Sequence, residues 1–331
     1  MLYIETNRPD ATFNFAFEEY CIQHLANDRK VLSIWQADNC VMLGRYQITQ
    51  KEINESYRKE LNPQIVRRAS GGGTIYTDMQ TLLFSVITPV KDEKNTDFST
   101  VCAPFVQALN DMGVKATLGG RNDMMIDGKK ISGNAQTIKK GYLCAHGSLL
   151  YRADLDVMFR ILQSDKSKIQ AKSVDSMRSI VTNISEHLPV ELSVKEFWQQ
   201  FKNAVLNRET DNVCEYSLTE ADIGEIEKTQ QNKYQSWEWN YGNSPFFNIE
   251  NEMRFPMGKL IVRLNIQHGL IKNCKLHGDF LGVAELTPVE TALSACRFDS
   301  AAVSERIGVT DLYPYLRGIT KEQLIECMFH Q

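Results

Sequence analysis

The segment GRNDMMIDGKKISGNA (Gly120–Ala135) carries the strongest local fold signal in the chain. Asp127-Gly128 stands between two short runs of strand-forming residues, DMMI and KKIS, which is the pattern of a β-hairpin with a two-residue turn. Because side chains alternate along a strand, this turn fixes which residues share a face. The segment therefore predicts a hairpin with two chemically different faces.

One face of the predicted hairpin is apolar and the other is polar. The expected register pairs Met124 with Ile131 and Asp123 with Ser132. The apolar face carries Met124, Ile126 and Ile131, with Lys129 at its turn end, and the polar face carries Asp123, Met125, Lys130 and Ser132. On the polar face, the Cα atoms of Asp123 and Lys130 are expected about 7–8 Å apart across a diagonal. This gap suits a phosphate oxygen or a Mg²⁺ ion, or it is a surface ion pair.

Upstream lies a second unusual segment, RRASGGGTIYTD (Arg67–Asp78). Three glycines allow backbone N–H groups to approach a phosphate, and arginines neutralise its charge, although a flexible turn between strands is the alternative. No Lys-Ser/Thr follows the last glycine, and Tyr76 stands where a GxGxxG motif needs its third glycine, so neither common nucleotide motif is present. Arg67 and Arg68 are adjacent on a strand and point to opposite faces; alternation does not say which arginine faces the site.

Composition excludes several classes of protein. The 331 residues are 43% hydrophobic and 24% charged, with a formal charge of −4, which argues against broad nucleic-acid binding. The eight cysteines include no CxxC pair, and the six histidines show no HxxxH or HExxH spacing, so neither a disulfide framework nor a zinc site is expected. The N-terminus lacks the features of a signal peptide, and the longest apolar run is too short to span a membrane. We expect a cytoplasmic protein.

Strands and helices are mixed along the chain without regular βαβ alternation, which favours an α+β fold. The aromatic, turn-rich run SWEWNYGNSP (Ser236–Pro245) resembles a domain boundary. We therefore expect a large domain over residues 1–240 and a small one over 246–331.

These motifs, together with HGSLL (His146–Leu150), resemble those of the lipoate–protein ligases, and the resemblance covers nearly the whole chain. It implies a mixed α/β catalytic domain of the biotin/lipoate protein ligase type and a small α+β C-terminal accessory domain, in a monomer. It also implies that lipoate and Mg-ATP form lipoyl-AMP. The lipoyl group then passes to a lysine of a lipoyl domain in a 2-oxoacid dehydrogenase complex or of the glycine cleavage H protein.

The resemblance also assigns roles to residues. Lys130 becomes the catalytic cation between carboxylate and α-phosphate, and Asp123 the Mg²⁺ ligand. The residues expected to bind ATP and lipoyl-AMP are Arg67, Arg68, Gly72, Gly73, Thr74, Ile75, Asn122 and Lys130, and the family pattern favours Arg67 over Arg68 for the phosphates. The segment 166–183 becomes the loop that covers the adenylate.

Three other functions are alternatives to a ligase. An octanoyltransferase of the same superfamily works through a cysteine thioester without ATP, and Cys144 is the cysteine within the core motifs. A binding protein for lipoate or lipoyl domains would not need the intact Lys130 and Asp123. A biotin ligase would need a GRGRxGR-like loop, which the chain lacks. His146, alone on a strand, is interpreted as structural.

Overall fold

The computed structural model describes residues 1–47, 49–90, 98–119, 123–162, 180–209, 212–241, 247–308 and 310–329. The strands are, in chain order, β1 (Leu2–Tyr3), β2 (Val31–Trp35), β3 (Cys40–Leu43), β4 (Gln64–Arg67), β5 (Ile75–Thr77), β6 (Thr81–Pro89), β7 (Ala116–Gly119), β8 (Asp123–Ile126), β9 (Lys129–Lys139), β10 (Tyr142–Leu150), β11 (Cys214–Glu215), β12 (Ile249–Phe255), β13 (Gly258–Gln267) and β14 (Leu270–Gly278). They form three mixed or antiparallel sheets among the described residues, which confirms the expected α+β class.

Helices are distributed along the whole described chain. The α-helices span Ala11–Tyr20, Thr49–Glu52, Glu55–Leu61, Phe98–Asp111, Leu155–Ile161, Val194–Leu206, Glu220–Thr229, Trp237–Asn240, Thr287–Leu293, Ser300–Ile307, Tyr313–Leu316 and Lys321–Met328. The first helix begins where the sequence predicts, because the Asp10 carboxylate accepts the Thr12 N–H at 2.8 Å and caps it. No helix in the described ranges is both long enough and apolar enough to cross a membrane.

The largest sheet has eight strands in the order β11-β1-β2-β6-β10-β9-β8-β7. Consecutive residues of β6 point to opposite faces, so Leu82 and Phe84 join one apolar core while Leu83 joins another. Helices Phe98–Asp111 and Val194–Leu206 cover the first face. The first helix covers the second face, together with the small sheet β4-β3-β5.

The C-terminal part forms a core of its own. Strands β12, β13 and β14 make an antiparallel sheet whose apolar residues pack against the last four helices. The sequence predicted the β13–β14 hairpin but not β12 or the short helix Tyr313–Leu316. The run from Ser236 was expected to be a boundary; its first half instead forms the helix Trp237–Asn240, and Asn240 is buried. Residues 242–246 lie outside the described ranges.

The predicted hairpin is present with a shifted register. Asp127 and Gly128 have φ values of 49° and 76°, as a two-residue turn requires, and Met125 pairs with Lys130 as predicted. The pairs Met124–Ile131 and Asp123–Ser132 are wrong: a bulge pairs Met124 with Ser132 and Asp123 with Gly133. With the bulge, Asp123 lies opposite Gly133 and not Ser132, and both Ile131 and Ser132 are fully buried.

Candidate active site

A cavity of about 400 Å³ lies where the first helix, the large sheet, the β4-β3-β5 sheet and the segment after β14 meet. Its apolar lining is formed by Phe15, Trp35, Met42, Ile75, Leu83, Ala135 and Leu281. Its polar lining is formed by Arg68, Thr74, Asp123, Lys130, Asn134, His146 and Asp279, and glycines 72, 73, 133 and 147 complete it. The same cavity therefore has both an apolar surface and charged side chains.

Lys130 and Asp123 form an ion pair at this cavity. Lys130 Nζ lies 2.7 Å from Asp123 Oδ1, so the two charges meet directly across the hairpin. The Lys130 side chain is 39% exposed, which leaves its ammonium group accessible to a ligand. Its backbone is held on the other side, because Lys130 N–H donates to Ile180 O at 2.7 Å and Thr182 N–H donates to Lys130 O at 3.0 Å.

The glycine loop, residues 71–74, borders the same cavity through Gly72, Gly73 and Thr74. Gly72 has a φ of +89°, and a Cβ there would lie 3.1 Å from the Arg68 guanidinium, so a side chain would be both strained and crowded. A Cβ on Gly73 would meet nothing within 4 Å, which leaves open space beside its backbone. The Thr74 hydroxyl donates to Gln47 Oε1 at 2.8 Å. A ligand can therefore approach the main chain of this loop closely.

Arg67 is not among the residues that line the cavity. Its guanidinium is buried on the far side of β4, where it donates to the carbonyl oxygens of Gly44 at 2.8 Å, Gln47 at 2.7 Å and Asn240 at 2.9 Å. Burial lowers its pKa to about 10, which still leaves it charged at neutral pH. Arg67 thus ties β4 to the chain around residues 44–47 and to the helix Trp237–Asn240.

Arg68 lines the cavity and donates hydrogen bonds to backbone carbonyl groups of the glycine loop. Its Nη2 donates to Gly71 O at 2.8 Å and to Gly73 O at 2.7 Å, and its Nη1 donates to Met42 O at 3.1 Å. Burial lowers its pKa to about 10 as well. The geometry therefore favours Arg68 as the arginine at the site, whereas the family pattern favours Arg67.

The segment that follows β14 closes one side of the cavity. Gly72 N–H donates to Phe280 O at 3.1 Å, and Asp279 and Leu281 are part of the lining. The Phe280 ring stacks on Tyr46 with centroids 5.2 Å apart. An N–H of the glycine loop is therefore occupied by the C-terminal part of the same chain.

Cys144 lies beneath the cavity in a poor environment for a nucleophile. It is 1% exposed and is not among the lining residues. Burial raises the pKa of its thiol well above the usual value, and the nearby Glu18 carboxylate raises it further. The thiol is therefore protonated at neutral pH, which is the opposite of what thioester chemistry requires.

The structure brings most of the predicted site residues together. Arg68, Gly72, Gly73, Thr74, Ile75, Asp123 and Lys130 all line the one cavity. Asn122 lies outside the described residues, as do residues 166–179 of the predicted covering loop.

Sequence reasoning missed Glu18, Trp35, Ser70, Asp279 and Leu281. Glu18 carried a local signal, because it and the adjacent Glu19 are the two charged residues of the helix ATFNFAFEEY. Ser70 lies within the segment RRASGGGTIYTD but was given no role, whereas Trp35, Asp279 and Leu281 enter the site through contacts between segments that are far apart in the sequence.

Two family models match the chain. The model of the lipoyl protein ligase A/B catalytic domain matches residues 10–206. The model of the bacterial lipoate protein ligase C-terminus matches residues 244–328. Together they cover most of the chain in the expected order.

A curated relative and two solved structures agree with these models. Lipoate-protein ligase LplJ of Bacillus subtilis is 37% identical over 331 residues, which covers 99% of this chain and 100% of the relative. A bi-partite lipoate protein ligase from Thermoplasma acidophilum, solved in a study that included its E2 lipoyl domain, is 26% identical with a TM-score of 0.65, and covers 75% of this chain and 98% of its own. A lipoate-protein ligase A bound with ATP is also 26% identical, with a TM-score of 0.62, and covers 73% and 98%.

Proposed function

Because the chain belongs to the lipoate–protein ligase family, we propose that its cavity joins lipoate to ATP as lipoyl-AMP and then passes the lipoyl group to a lysine of an acceptor protein. The observation that carries the proposal is the position of Lys130, which lines the same cavity as the glycine loop and the apolar surface. A carboxylate is a poor electrophile, so it must be activated before an amide forms. A mixed anhydride with AMP supplies the leaving group.

Lys130 is placed to serve both half-reactions. Negative charge accumulates between the carboxylate and the α-phosphate when the anhydride forms, and again when the acceptor amine attacks it. A compact, fixed cation at that position stabilises both transition states more than the separated substrates. The ion pair with Asp123 orients the ammonium group of Lys130, and its partial exposure lets a substrate oxygen reach it.

The glycine loop and Arg68 are proposed to hold the nucleotide. The backbone of Gly73 borders open space, and Arg68 places a buried positive charge directly behind the loop. Asp123 supplies a carboxylate oxygen at the cavity, which is the donor type that Mg²⁺ prefers beside phosphate oxygens. Bound there, Mg²⁺ would neutralise phosphate charge. Asn122 stays a prediction on the family pattern.

The apolar lining suits the lipoyl tail. Phe15, Trp35, Met42 and Leu83 border the same cavity as Lys130, so an eight-carbon chain buried among them presents its carboxylate to the cation. Excluding water from this region also protects the anhydride from hydrolysis. We propose that substrate recognition is apolar at one end of the ligand and electrostatic at the other.

The C-terminal part is proposed to move during the cycle. A phosphate oxygen that binds Gly72 N–H must replace the Phe280 carbonyl, which accepts that N–H at 3.1 Å. Adenylation needs an enclosed site, whereas transfer needs room for a whole acceptor domain. A shift of the C-terminal part as a unit answers both needs, with 1–240 acting as the catalytic domain and 246–331 as the accessory domain.

The proposed acceptors are lipoyl domains of 2-oxoacid dehydrogenase complexes and the glycine cleavage H protein. We propose a monomer that acts in the cytoplasm. Eight free cysteines, seven of them buried, suit a reducing compartment.

The test is modification of a purified lipoyl domain, followed by its intact mass. The full-length protein with lipoate, Mg²⁺ and ATP should add one lipoyl group, and omission of ATP should abolish the addition. Modification from an acyl thioester without ATP would instead indicate an octanoyltransferase. Tight binding of the domain without any mass change would indicate a binding protein.

A further inference from the structure

A buried chain of hydrogen bonds joins the first helix to the glycine loop. Glu18 Oε1 lies 3.0 Å from His146 Nδ1, His146 Nε2 lies 2.6 Å from Ser70 Oγ, and Arg68 Nε donates to that same oxygen at 3.1 Å. All four residues are at most 6% exposed. We call these four residues the Glu18–Arg68 chain.

We propose that the Glu18–Arg68 chain fixes Arg68 in the orientation with which it holds the glycine loop, so that Glu18 and Ser70 are positioning residues for nucleotide binding. The inference rests on the proposed function in one respect, that this loop binds the phosphates of ATP. Neither Glu18 nor Ser70 lines the cavity, so both act through Arg68.

The direction of each hydrogen bond follows from the chemistry of the groups. An arginine N–H only donates and a carboxylate oxygen only accepts, so Ser70 Oγ accepts from Arg68, and Nδ1 is the ring nitrogen that donates to Glu18. The imidazole hydrogen then lies on Nδ1 and points to the Glu18 carboxylate. In the proposed chain the ring carries a hydrogen on Nδ1 alone, so that Nε2 accepts the hydrogen of the Ser70 hydroxyl.

Glu18 is held by further contacts from the large sheet. Ser85 Oγ donates to Glu18 Oε1 at 2.6 Å, and Trp35 Nε1 donates to Ser85 Oγ at 3.0 Å. A buried carboxylate is tolerated only when it is hydrogen-bonded and balanced by an opposite charge, which Arg68 supplies at the other end of the chain. The arrangement is therefore one charge-balanced unit between the first helix and the loop.

The consequence for the loop follows from peptide geometry. In a trans peptide unit the C=O and N–H bonds point in opposite directions. Because Arg68 Nη2 holds the carbonyl oxygens of Gly71 and Gly73, the N–H groups of Gly72 and Thr74 point away from Arg68. The Gly72 N–H indeed donates on the opposite side, to Phe280 O. Disorder of the Arg68 side chain would release this orientation. The affinity for any ligand that binds to these N–H groups would then fall.

A metal ion is the competing explanation for part of this cluster. Donor atoms of Glu18, Cys144 and His146 lie within 4.8 Å of one another and are buried. However, both ring nitrogens of His146 already have partners, Glu18 at Nδ1 and Ser70 at Nε2. Hydrogen bonds therefore account for the cluster, and a bound metal is an outcome that the experiment must detect.

The test compares Glu18→Gln with Glu19→Gln in the full-length protein. Both carboxylates are buried on the first helix, but Glu19 bonds to Lys139, Lys233 and Tyr234. We expect Glu18→Gln to weaken binding of a non-hydrolysable Mg-ATP analogue about tenfold or more, the loss of one charge-assisted hydrogen bond. Binding of lipoate alone should be unchanged. Glu19→Gln should change the affinities for the analogue and for lipoate by no more than about twofold, because Glu19 is not part of the Glu18–Arg68 chain.

A double-mutant cycle separates positioning from a general structural effect. Ser70→Ala breaks the same chain at its next link, so the variant Glu18→Gln/Ser70→Ala should bind the analogue no more weakly than the poorer single variant. Additive losses would overturn the proposal. Ser70→Ala also serves as the second variant if Glu18→Gln does not fold, and normal analogue binding by it would overturn the proposal as well.

The imidazole state gives a readout that does not depend on ATP. ¹⁵N spectra of the wild-type protein, assigned with His146→Gln, should show the hydrogen of the His146 ring on Nδ1 alone. A hydrogen on Nε2 would overturn the proposed Glu18–Arg68 chain. One equivalent of bound zinc that is lost in Cys144→Ser would overturn it as well. Failure of the wild-type protein to bind the analogue would instead contradict the proposed function.

Discussion

Strand β4 and the β8–β9 hairpin each carry two adjacent cations, and the two regions separate them in different ways. In the hairpin, Lys129 is exposed at the turn, whereas Lys130 meets Asp123 at the cavity. At the end of β4 both guanidinium groups are buried, Arg67 on one side of the strand and Arg68 on the other. Position in the hairpin follows from local alternation, whereas position at β4 is decided by partners elsewhere in the chain.

The partners of Arg67 show why the sequence could not decide. Its side chain and backbone bond to residues 44–49 and to Trp239 and Asn240, which are 172 and 173 residues away. Two buried arginines look alike in a strand pattern, because both faces of β4 are covered. A buried arginine that donates to several backbone carbonyl groups stabilises the fold. A buried arginine that also lines a cavity is a candidate for ligand binding.

The largest expected difference is between Lys130→Ala and Lys129→Ala. Lys130→Ala should slow both adenylation and transfer from preformed lipoyl-AMP by on the order of 10²–10³ or more, by analogy with a lost oxyanion donor. The measurement is single-turnover kinetics of each step. Lys129→Ala, the matched control, should be mild. Near-normal transfer by Lys130→Ala would remove Lys130 from the mechanism.

The β4 pair should divide stability from binding. Arg67→Ala leaves several buried carbonyl oxygens without their donor and should lower the free energy of unfolding by about 3–5 kcal/mol, measured by urea denaturation. Arg68→Lys keeps the charge but loses the fork that holds Gly71 and Gly73, so it should chiefly raise the KM for ATP. If Arg67→Lys proves to be the variant with the larger rise in KM, the assignment of the two arginines is reversed.

Glu19, which is next to Glu18 on the first helix, should make the stability of the protein depend on pH. Burial alone would raise the pKa of Glu19, but Lys233 and Lys139 lower it to about 2. A lowered pKa stabilises the folded state above the unfolded value near 4.5, and this stabilisation is lost as the pH falls towards 2. At pH 7, Glu19→Gln should lower the free energy of unfolding by about 2–3 kcal/mol.

Denaturation at several pH values checks the Glu19 prediction. The difference between wild type and Glu19→Gln should shrink as the pH falls from about 5 towards 2, where the wild-type carboxylate becomes protonated. A difference that stays constant over this range would show that the effect is packing and not charge.

The smallest effect is expected for Cys144→Ser. The thiol is buried, protonated and away from the cavity surface, so the ATP-dependent reaction should keep most of its rate. Lipoylation kinetics measure this. Complete loss, together with an acyl-thioester trapped on the wild-type protein, would favour the octanoyltransferase reading.

Local chemistry made much of the fold predictable. Asp127-Gly128 indicated the hairpin, Asp10 indicated the start of the first helix, and the apolar runs indicated β2, β6 and β10. The bulge in β9 was not predictable, because it arises where Ile131 and Ser132 are both buried by tertiary packing. The helix Trp237–Asn240 was missed although Ser236 caps it, and its position against β4 depends on contacts with Arg67.

The site divides in the same way. Lys130, Asp123 and the glycines were found because hairpin alternation and loop composition are local properties. Glu18 and His146 are 128 residues apart, and only the packing of the first helix on β10 brings them together. Such long-range polar pairs leave little trace in a single sequence, apart from the two adjacent charges, Glu18 and Glu19, in a buried stretch of the first helix.

Lipoate-dependent exchange of labelled pyrophosphate into ATP tests the central claim most directly, because only reversible formation of an adenylate connects the two. The wild-type protein and Lys129→Ala should both catalyse the exchange when lipoate and Mg²⁺ are present, and Lys130→Ala should not. Exchange that is absent from the folded wild-type protein, or undiminished in Lys130→Ala, would contradict the account.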